Sequence, residues 1–259
     1  MKADIFTSEQ NFIAIASKHV SIQRVYCEAK KISPDLFDFC KWNEYEIVLL
    51  EDVSHAATIL STNCTASLAF SFGYGLIFES SQLERYEHGI WNIHTGELPK
   101  YRGRHPITHA FLENEKEICV TVHQLDQKID QGKLIASGSV RRTFQDNETT
   151  ILQKILKLLD TELLATAIEN YAGDKLHEIP YAPYKQNFND GISLHSLEMV
   201  SQEFLYNAIQ SQVSHGGLNI GGVIYLKCHY YSSYINYDFP WIKTECLDGP
   251  MMLYPKLPD

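Results

Sequence analysis

The sequence contains no long apolar run and no secretory pattern at its N-terminus. Its longest apolar stretches, such as Ile47–Leu50 and Ser67–Phe72, are far shorter than the ~20 residues that a membrane-spanning helix needs. Met1–Phe6 lacks the charged segment followed by an apolar segment that marks a secretory signal. We therefore predict a cytoplasmic protein without a membrane partner.

Paired cysteine motifs are also missing. None of the six cysteines forms a Cys-x-x-Cys motif, and they are spread along the chain at Cys27, Cys40, Cys64, Cys119, Cys228 and Cys246. In a cytosolic chain, cysteines of this kind are free thiols that are mostly buried. Their spacing does not match a structural zinc site, so no metal is predicted.

Basic residues are scarce relative to acidic ones. The 259-residue chain carries 22 Lys and Arg against 32 Asp and Glu, which gives a net charge of −10. Between Tyr181 and Asp259 there are four Lys, no Arg and seven acidic residues. A nucleic-acid surface needs clustered Lys and Arg, so this balance argues against a nucleic-acid partner.

The chain does contain an alternation of short apolar strands with helical patterns. Strands are predicted at Ala3–Ser8, Ile22–Glu28, Glu46–Glu51, Thr65–Phe72, Ile118–Leu125, Lys133–Arg142 and Gly222–Tyr231. Helices are predicted at Glu9–Lys18, Pro34–Cys40, Ser54–Ser61, His105–Leu112, Thr149–Ala172 and Ser196–Gln212. The alternation in the first half predicts an α/β fold, with a Rossmann-like and mostly parallel sheet that has helices on both faces. Ligands of such sheets bind at the carboxyl ends of the strands.

This pattern breaks at Pro180 and Pro183, which mark a domain boundary. We predict a catalytic domain over residues 1–178 and a small C-terminal α+β region over residues 179–259. The C-terminal region is expected to complete the substrate site or to form a dimer interface. It contains nine of the 15 tyrosines, which favours a homodimer.

Four short motifs between Ile90 and Gly132 carry the chemistry. They are Asn92-Ile93-His94, Leu98-Pro99-Lys100-Tyr101-Arg102-Gly103, Val120-Thr121-Val122-His123 and Ile129-Asp130-Gln131-Gly132. Acyl transfer to an amine needs a donor for the oxyanion, a proton carrier and an acid that holds the carrier, which Asn92, His94 and Asp130 can supply. In an extended segment the first two share one face. Each also has an ordinary structural interpretation, as a strand-end amide, a core histidine and a turn aspartate.

In this order and at this spacing, the motifs resemble those of the formyltransferase family that uses 10-formyltetrahydrofolate. The resemblance covers residues 65–140 strongly and residues 1–64 in outline. It implies that Asn92 and His94 hydrogen-bond the formyl oxygen as it becomes anionic, and that His94 assists proton movement. It also implies that Asp130 orients His94, or that it holds a water that takes the proton from the attacking ammonium group.

The resemblance further implies two binding surfaces. The pterin of 10-formyltetrahydrofolate is expected between residues 72–78 and 125–129, where the named residues are Phe72, Gly73, Tyr74, Leu76, Ile77, Phe78, Leu125, Asp126 and Gln127. The second substrate is expected against the loop that supplies Lys100, Tyr101, Arg102, Arg104 and His105. Three cations and a ring on one loop suit a diphosphate, with Arg104 as the first choice for a contact. A solvated basic turn is the alternative.

One departure from the family pattern indicates the branch. Where the family usually continues His-Pro-Ser-Leu-Leu-Pro, this chain has His94-Thr95-Gly96-Glu97-Leu98-Pro99. We predict a sugar N-formyltransferase acting on a nucleotide-linked 4-amino-4,6-dideoxy sugar for O-antigen or lipopolysaccharide synthesis, with GDP-perosamine favoured over a dTDP-linked sugar. The enzymatic alternative is formylation of glycinamide ribonucleotide or methionyl-tRNA. The alternative from another class is a non-catalytic folate-binding relative.

Overall fold

The computed structural model describes residues 1–52, 66–188 and 191–257. Within these ranges a seven-stranded sheet has the order β3-β2-β1-β4-β5-β6-β7. The strands are β1 Lys2–Thr7, β2 Ser21–Glu28, β3 Glu46–Leu50, β4 Leu68–Phe72, β5 Ile90–His94, β6 Glu117–Gln124 and β7 Leu134–Arg141. The pairs β1–β2, β1–β4, β2–β3 and β4–β5 are parallel, whereas β6 runs antiparallel to β5. The predicted Rossmann-like, mostly parallel sheet is therefore confirmed.

Helices alternate with these strands much as predicted. They are α1 Gln10–Ala16, α2 Pro34–Trp42, α3 Ser80–Leu83, α4 Pro106–Leu112, α5 Glu148–Leu158 and α6 Leu164–Ala172. Local signals explain the start of α2, because Pro34 occupies its first turn and the Ser33 hydroxyl accepts a hydrogen bond from Leu36 N at 3.1 Å. The predicted helix Ser54–Ser61 lies outside the described residues.

A wider turn interrupts the long helix predicted at Thr149–Ala172. Between α5 and α6, the residues Leu159–Leu163 form a π-helical turn. Leu159 and Leu163 are both buried there, so the turn keeps the apolar face directed into the core. The helical spacing of the apolar residues predicted the helix. It did not predict the π-helical turn, because a single wider turn shifts that spacing too little to be recognised in the sequence.

The central strands of the sheet position the Asn92-Ile93-His94 motif. All five residues of β4 are buried, as expected for a strand with neighbours on both sides. The Thr7 hydroxyl at the end of β1 donates to the carbonyl of Phe72 at the end of β4, at 2.8 Å. The next strand, β5, ends at His94, so Asn92 and His94 lie at the carboxyl end of the parallel sheet, where ligands bind.

A smaller five-stranded sheet has the order β11-β12-β10-β9-β8. Its strands are β8 Ser193–Leu194, β9 Leu218–Ile220, β10 Val223–Tyr230, β11 Ile242–Cys246 and β12 Gly249–Pro255, and it is accompanied by α7 Gln202–Ser211. The predicted helix Ser196–Gln212 begins later than expected because the Ser201 side chain caps it, accepting from Phe204 N at 3.2 Å. The β11–β12 hairpin was not predicted, although Asp248-Gly249 is a hairpin signal.

The described chain packs as two compact units. The first unit comprises Met1–Arg102, Cys119–Ser139 and Ile155–Pro183, and the second comprises Gly103–Ile118, Val140–Lys154 and Tyr184–Asp259. Each has its own apolar core; that of the second unit includes Leu205, Ile209 and Met251. The division at residues 178 and 179 stays a prediction. No helix in the described ranges is long and apolar enough to cross a membrane.

The cysteines in the described part of the chain are free thiols, as predicted. Cys27, Cys40, Cys228 and Cys246 are buried, and Cys119 is partly buried. Burial raises the pKa of the Cys228 thiol to about 12, so this side chain behaves as a small apolar group rather than as a nucleophile.

Candidate active site

Antiparallel pairing of β5 with β6 brings Asn92 next to His123. The two residues are register partners, and the His123 ring is completely buried. Its Nδ1 lies 2.9 Å from the carbonyl oxygen of Gln124, which can only accept, so Nδ1 carries the proton and Nε2 of the neutral ring is an acceptor. Asn92 Nδ2, at 3.2 Å from that Nε2, is therefore the donor. This chain of hydrogen bonds fixes the orientation of the Asn92 amide and leaves its second N–H for another acceptor.

His94 is held by the loop that follows it. Its Nε2 donates to the carbonyl oxygen of Tyr101 at 2.7 Å, so in the neutral ring Nδ1 carries the lone pair. Burial lowers the pKa of His94; the Asp130 carboxylate opposes that shift and His123 adds to it. The balance favours a neutral imidazole near pH 7, and such a ring can accept a proton at Nδ1.

Asp130 lies between the two imidazoles. Its Oδ1 is 3.9 Å from His94 Nδ1 and 3.6 Å from His123 Nε2, and its side chain is buried. The residue has a φ of 52°, a left-handed conformation that Asp adopts more readily than most residues. The structure thus brings together the predicted residues Asn92, His94 and Asp130, and it adds His123.

The Tyr101-Arg102 motif supports this cluster from within the first unit. The Tyr101 carbonyl binds His94, and the Arg102 guanidinium, which is 1% exposed, donates to the carbonyl oxygen of Ile129 at 2.5 Å and to that of Ala182. Because Ile129 directly precedes Asp130, Arg102 fixes the backbone that positions the carboxylate. The predicted substrate contacts of Lys100, Tyr101 and Arg102 stay predictions.

The two segments predicted to hold the pterin pack against one apolar cluster in the first unit. Tyr74, Leu76, Phe78 and Leu125 surround it, and its buried members include Phe6, Tyr26 and Ile90. The Phe6 ring centroid lies 5.3 Å from that of Tyr74 and 4.8 Å from that of Phe78. Burial also raises the pKa of the Tyr74 hydroxyl, so it stays protonated. The structure therefore brings these predicted segments together.

The remaining predicted pterin residues have varied surroundings. Phe72 is buried at the end of β4, where its ring centroid lies 4.9 Å from that of Phe12. Ile77 is 60% exposed, and the side chains of Asp126 and Gln127 are also exposed.

Glu28 anchors the 72–78 segment, and nothing in the sequence indicated this role. The Glu28 carboxylate accepts from Gly75 N at 2.8 Å and from Lys31 Nζ at 2.6 Å, and Lys31 also donates to the Gly73 carbonyl at 3.2 Å. Burial alone would raise the pKa of Glu28, but the lysines and the Gly75 amide outweigh it and lower the pKa. Glu28 is therefore a buried carboxylate that holds the turn at Gly73–Gly75.

A model of the family described as "Formyl transferase" matches residues 8–168 of this chain. The chain belongs to the formyl transferase family. Among relatives by sequence, a methionyl-tRNA formyltransferase of Listeria monocytogenes is 35% identical over 128 residues. That stretch is 49% of this chain but only 41% of the relative, so the chain spans less than half of that protein's length.

Solved structures of family members resemble the whole chain. WlaRD, a sugar 3N-formyltransferase solved with dTDP and 5-N-formyl-THF, superposes with a TM-score of 0.68 at 19% identity and covers 99% of both chains. The N-formyltransferase of Helicobacter canadensis, solved with folinic acid and dTDP-3-aminofucose, gives a TM-score of 0.69 at 16% identity and covers 98% of this chain and 99% of that one. At these identities the likeness establishes the fold.

Two further residues that were predicted to contact the second substrate, Arg104 and His105, lie in the second unit. Arg104 is exposed, and His105 has a φ of 60° immediately before α4. The His105 ring centroid lies 6.4 Å from that of Phe188 and 5.6 Å from that of His215. Their substrate contacts stay predictions. In the described ranges no group of three or more His, Cys, Asp or Glu side chains is arranged to hold a metal ion.

Proposed function

We propose that this protein transfers a formyl group from 10-formyltetrahydrofolate to the amine of a nucleotide-linked amino sugar. The cluster of the half-buried Asn92 with the buried residues His94, His123 and Asp130, in a chain of the formyl transferase family, supports the chemistry. The observation that carries the choice of acceptor is the fold match over 98–99% of both chains with two relatives. One is the sugar 3N-formyltransferase WlaRD, and the other is the N-formyltransferase solved with dTDP-3-aminofucose. By contrast, the methionyl-tRNA enzyme is matched over 41% of its length.

The proposed reaction forms a bond between the sugar nitrogen and the formyl carbon, and breaks the bond from that carbon to N10 of the folate. The sugar ammonium first loses a proton to Nδ1 of His94, and the free amine attacks. Asp130 then stabilises the imidazolium across the 3.9 Å that separates it from Nδ1. The attacking nitrogen loses its second proton from the tetrahedral adduct. One of the two protons passes to N10 as the carbon–nitrogen bond breaks, and the other is released to solvent.

Asn92 is the proposed donor to the oxyanion. As the amine adds, the formyl oxygen becomes anionic, and a fixed neutral amide stabilises it without reorganising. The hydrogen bond to His123 supports this role, because it orients the Asn92 amide before substrate binds. Removal of one such donor in comparable sites costs about a hundredfold to a thousandfold in kcat.

The folate would lie beside the cluster of Tyr74, Leu76, Phe78 and Leu125. Apolar side chains and rings cover the faces of a flat heterocycle, while backbone groups pair with its polar edge. The anchoring of Gly75 by Glu28 supports this assignment, because it fixes the backbone of one of the two segments. When bound, 10-formyltetrahydrofolate supplies the activated formyl group.

The acceptor is proposed to be a 4-amino-4,6-dideoxy sugar on GDP or dTDP, for O-antigen or lipopolysaccharide synthesis. GDP-perosamine is the first candidate from the sequence, and the dTDP ligands of the two structural relatives support a dTDP-linked sugar. A homodimer and a cytoplasmic location belong to the same proposal.

Methionyl-tRNA is the second candidate acceptor, favoured by the 35% identity to the Listeria enzyme. The net charge of −10 argues against it, because transfer RNA is a polyanion. Glycinamide ribonucleotide is a further enzymatic candidate, and a folate-binding role without turnover is the alternative outside enzymes.

The deciding experiment is a formylation assay with 10-formyltetrahydrofolate and a panel of GDP-, dTDP- and UDP-linked 3-amino and 4-amino sugars, read by mass spectrometry. A mass gain of one CO on a single member establishes the class and names the acceptor. Asn92→Ala is expected to lower kcat by about a hundredfold to a thousandfold while folate binding persists, and Asn43→Ala, at the residue that follows α2, is the matched control. Formylation of transfer RNA or glycinamide ribonucleotide alone would overturn the acceptor, and an unchanged kcat in Asn92→Ala would overturn the mechanism.

A further inference from the structure

The second unit contains a cavity of about 130 Å³ that has no part in the proposed formyl transfer. Its walls come from the end of α4, the turn between α4 and β6, the segment after β7, α7 and the end of β10. Each of these parts of the chain belongs to the second unit. The cavity therefore has a chemistry that is independent of the Asn92–His94–Asp130 cluster.

Hydrogen-bond donors outnumber acceptors on one wall of this cavity. The Asn114 amide oxygen accepts from Arg142 Nη2 at 2.7 Å, from Lys116 Nζ at 2.8 Å and from Asn207 Nδ2 at 3.3 Å. An amide oxygen has two lone pairs and no net charge. Two cations and a third donor thus share one neutral acceptor, an arrangement that leaves positive charge uncompensated.

Arg142 has donor capacity that this wall does not use. Its Nη1 is buried and has no hydrogen-bond partner among the described residues. The guanidinium carbon lies 4.7 Å from the ring centroid of Phe111, which covers one of its faces. Burial lowers the pKa of Arg142, while the carboxylates of Glu203, Asp146 and Glu115 and the Tyr206 hydroxyl oppose that shift. A half-buried guanidinium with a buried N–H group that has no partner favours a bound anion.

The carboxylates nearby do not neutralise this charge by contact. The Asp146 carboxylate binds other groups: it accepts from Lys154 Nζ at 2.5 Å and from Thr143 N at 2.6 Å. Burial alone would raise the pKa of Asp146, but these contacts help to lower it to about 2. Glu203 lies in the first turn of α7 and is exposed. Among the described residues, neither Arg142 nor Lys116 forms an ion pair with a carboxylate.

An aromatic wall completes the cavity. The rings of Phe144 and Tyr206 stack with centroids 4.5 Å apart and an interplanar angle of 13°, and the Tyr206 and Tyr230 centroids are 5.9 Å apart at 18°. The Tyr206 hydroxyl donates to the Phe144 carbonyl at 2.7 Å, which fixes the stack. Phe144 is 61% exposed and Tyr230 is 41% exposed, so ring surface beside the cations remains open to a ligand. A flat base can stack on such rings.

We propose that this cavity binds a phosphate group through Arg142 and Lys116. The planar fork of Arg142 places two N–H groups against phosphoryl oxygens, and Lys116 supplies a second positive charge. Two sources share this chemistry: inorganic phosphate, and a nucleotide whose base lies on the Phe144 and Tyr230 rings. This site lies beyond the proposed formyl transfer and does not depend on it.

Isothermal titration calorimetry of the full chain, without folate or sugar, tests the site with inorganic phosphate, dTDP and GDP at matched ionic strength. We expect Arg142→Gln to weaken phosphate binding by at least about tenfold, since it removes charge-assisted hydrogen bonds. Lys116→Gln is expected to weaken it less. Arg141→Gln is the matched control, because Arg141 is the exposed neighbour in sequence, does not line the cavity, and gives the same charge change.

The outcomes separate the sources and can overturn the site. Tighter binding of a nucleotide than of phosphate, with the same dependence on Arg142, identifies the nucleotide; equal or weaker binding identifies the free anion. If Arg141→Gln and Arg142→Gln weaken phosphate binding equally, the weakening comes from the change in net charge alone, and the proposed site is overturned. The absence of any binding that depends on Arg142 overturns it as well. If Arg142→Gln does not fold, the exposed Lys116→Gln carries the test.

Discussion

At the scale of single residues, the orientation of Asn92 depends on His123. The Gln124 carbonyl sets the tautomer of His123, and the unprotonated Nε2 then sets the direction of the Asn92 amide. Residues that fix a reacting group by hydrogen bonds usually act on kcat rather than on substrate affinity. We therefore expect His123 to act as a positioning residue whose loss lowers kcat more than it changes KM.

For His123→Ala we expect kcat to fall by about tenfold to a hundredfold with little change in either KM, because the Asn92 amide loses its acceptor. His123→Gln is expected to restore part of kcat, since its amide oxygen can accept from Asn92. Steady-state kinetics of both variants with the accepted sugar provides the measurement. Equal loss in both, or a loss confined to KM, would contradict the positioning role.

The pH profile tests His94 and Asp130. The proposed base is neutral His94, whose pKa is lowered below its usual 6.5 by burial. Activity, measured as kcat/KM, is therefore expected to be present above that lowered pKa and to be lost as the pH falls through it. Asp130→Asn removes the charge that favours the imidazolium, so the acid limb is expected to move to still lower pH while the plateau falls.

Asp130→Asn suits this test because Asn also tolerates the left-handed backbone of residue 130. The comparison with the unsubstituted protein cancels the titration of the substrate amine, which is the same in both. A limb that stays in place or moves to higher pH would show that Asp130 does not act on His94.

At the scale of elements, Gly132 holds the loop that carries Asp130 against β6. A side-chain carbon at Gly132 would lie 1.8 Å from the carbonyl oxygen of Gln124, which no real contact tolerates. The backbone would have to move, and Gln124 supplies the carbonyl that binds His123. In the Asp130-Gln131-Gly132 motif, packing against Gln124 therefore requires glycine at position 132, while Asp130 supplies the carboxylate.

Gly132→Ala is expected to destabilise the fold by about 1–3 kcal/mol and to lower kcat by displacing Asp130. Gly221→Ala is the control: Gly221 has a φ of 57° and nothing within 4 Å of the added carbon, so only about 1 kcal/mol of backbone strain applies. Chemical denaturation and steady-state kinetics measure both effects. Unchanged kcat in Gly132→Ala would show that the loop accommodates the shift elsewhere.

The anchoring of the 72–78 segment by Glu28 gives a prediction about folate. Glu28→Ala releases the Gly75 amide and leaves Lys31 without its buried partner, so we expect KM for 10-formyltetrahydrofolate to rise by about tenfold with a smaller change in kcat. Glu28→Gln keeps an acceptor for Gly75 and should fall between. Glu46→Gln, which removes an exposed ion pair to Arg24, is the control. A rise confined to the sugar KM would contradict the assignment.

Sequence patterns predicted the elements whose signals are local. The apolar period of β1, β2 and β4 and the Ser33-Pro34 start of α2 were visible in the residues themselves. The register of β5 against β6 was not, and His123 enters the site only through that register. The anchoring role of Glu28 could not be predicted for the same reason, because its partner Gly75 is distant in sequence and contacts it only in the folded protein.

At the scale of the whole molecule, the second unit is assembled from three separate stretches of chain. The prolines near residue 180 indicate a change of pattern along the sequence, but they carry no information on which earlier segments join the later ones. The stretches Gly103–Ile118 and Val140–Lys154 join Tyr184–Asp259 through tertiary packing, exemplified by the contact of α4 with α7. Composition and periodicity are local quantities, so they could not predict this grouping or the phosphate site that it creates.

Net charge acts on the whole molecule and separates the two main acceptor candidates. At −10, the chain should repel a polyanion, and repulsion between like charges is strongest at low salt. We therefore expect filter binding to detect no complex with initiator transfer RNA at low ionic strength, under conditions where the nucleotide sugar accepted in the formylation assay still binds. A methionyl-tRNA formyltransferase such as the Listeria relative serves as the positive control for the transfer RNA. Tight binding that weakens steeply as salt rises would reveal a local basic surface that the net charge conceals, and it would shift the proposed acceptor from the sugar to the transfer RNA.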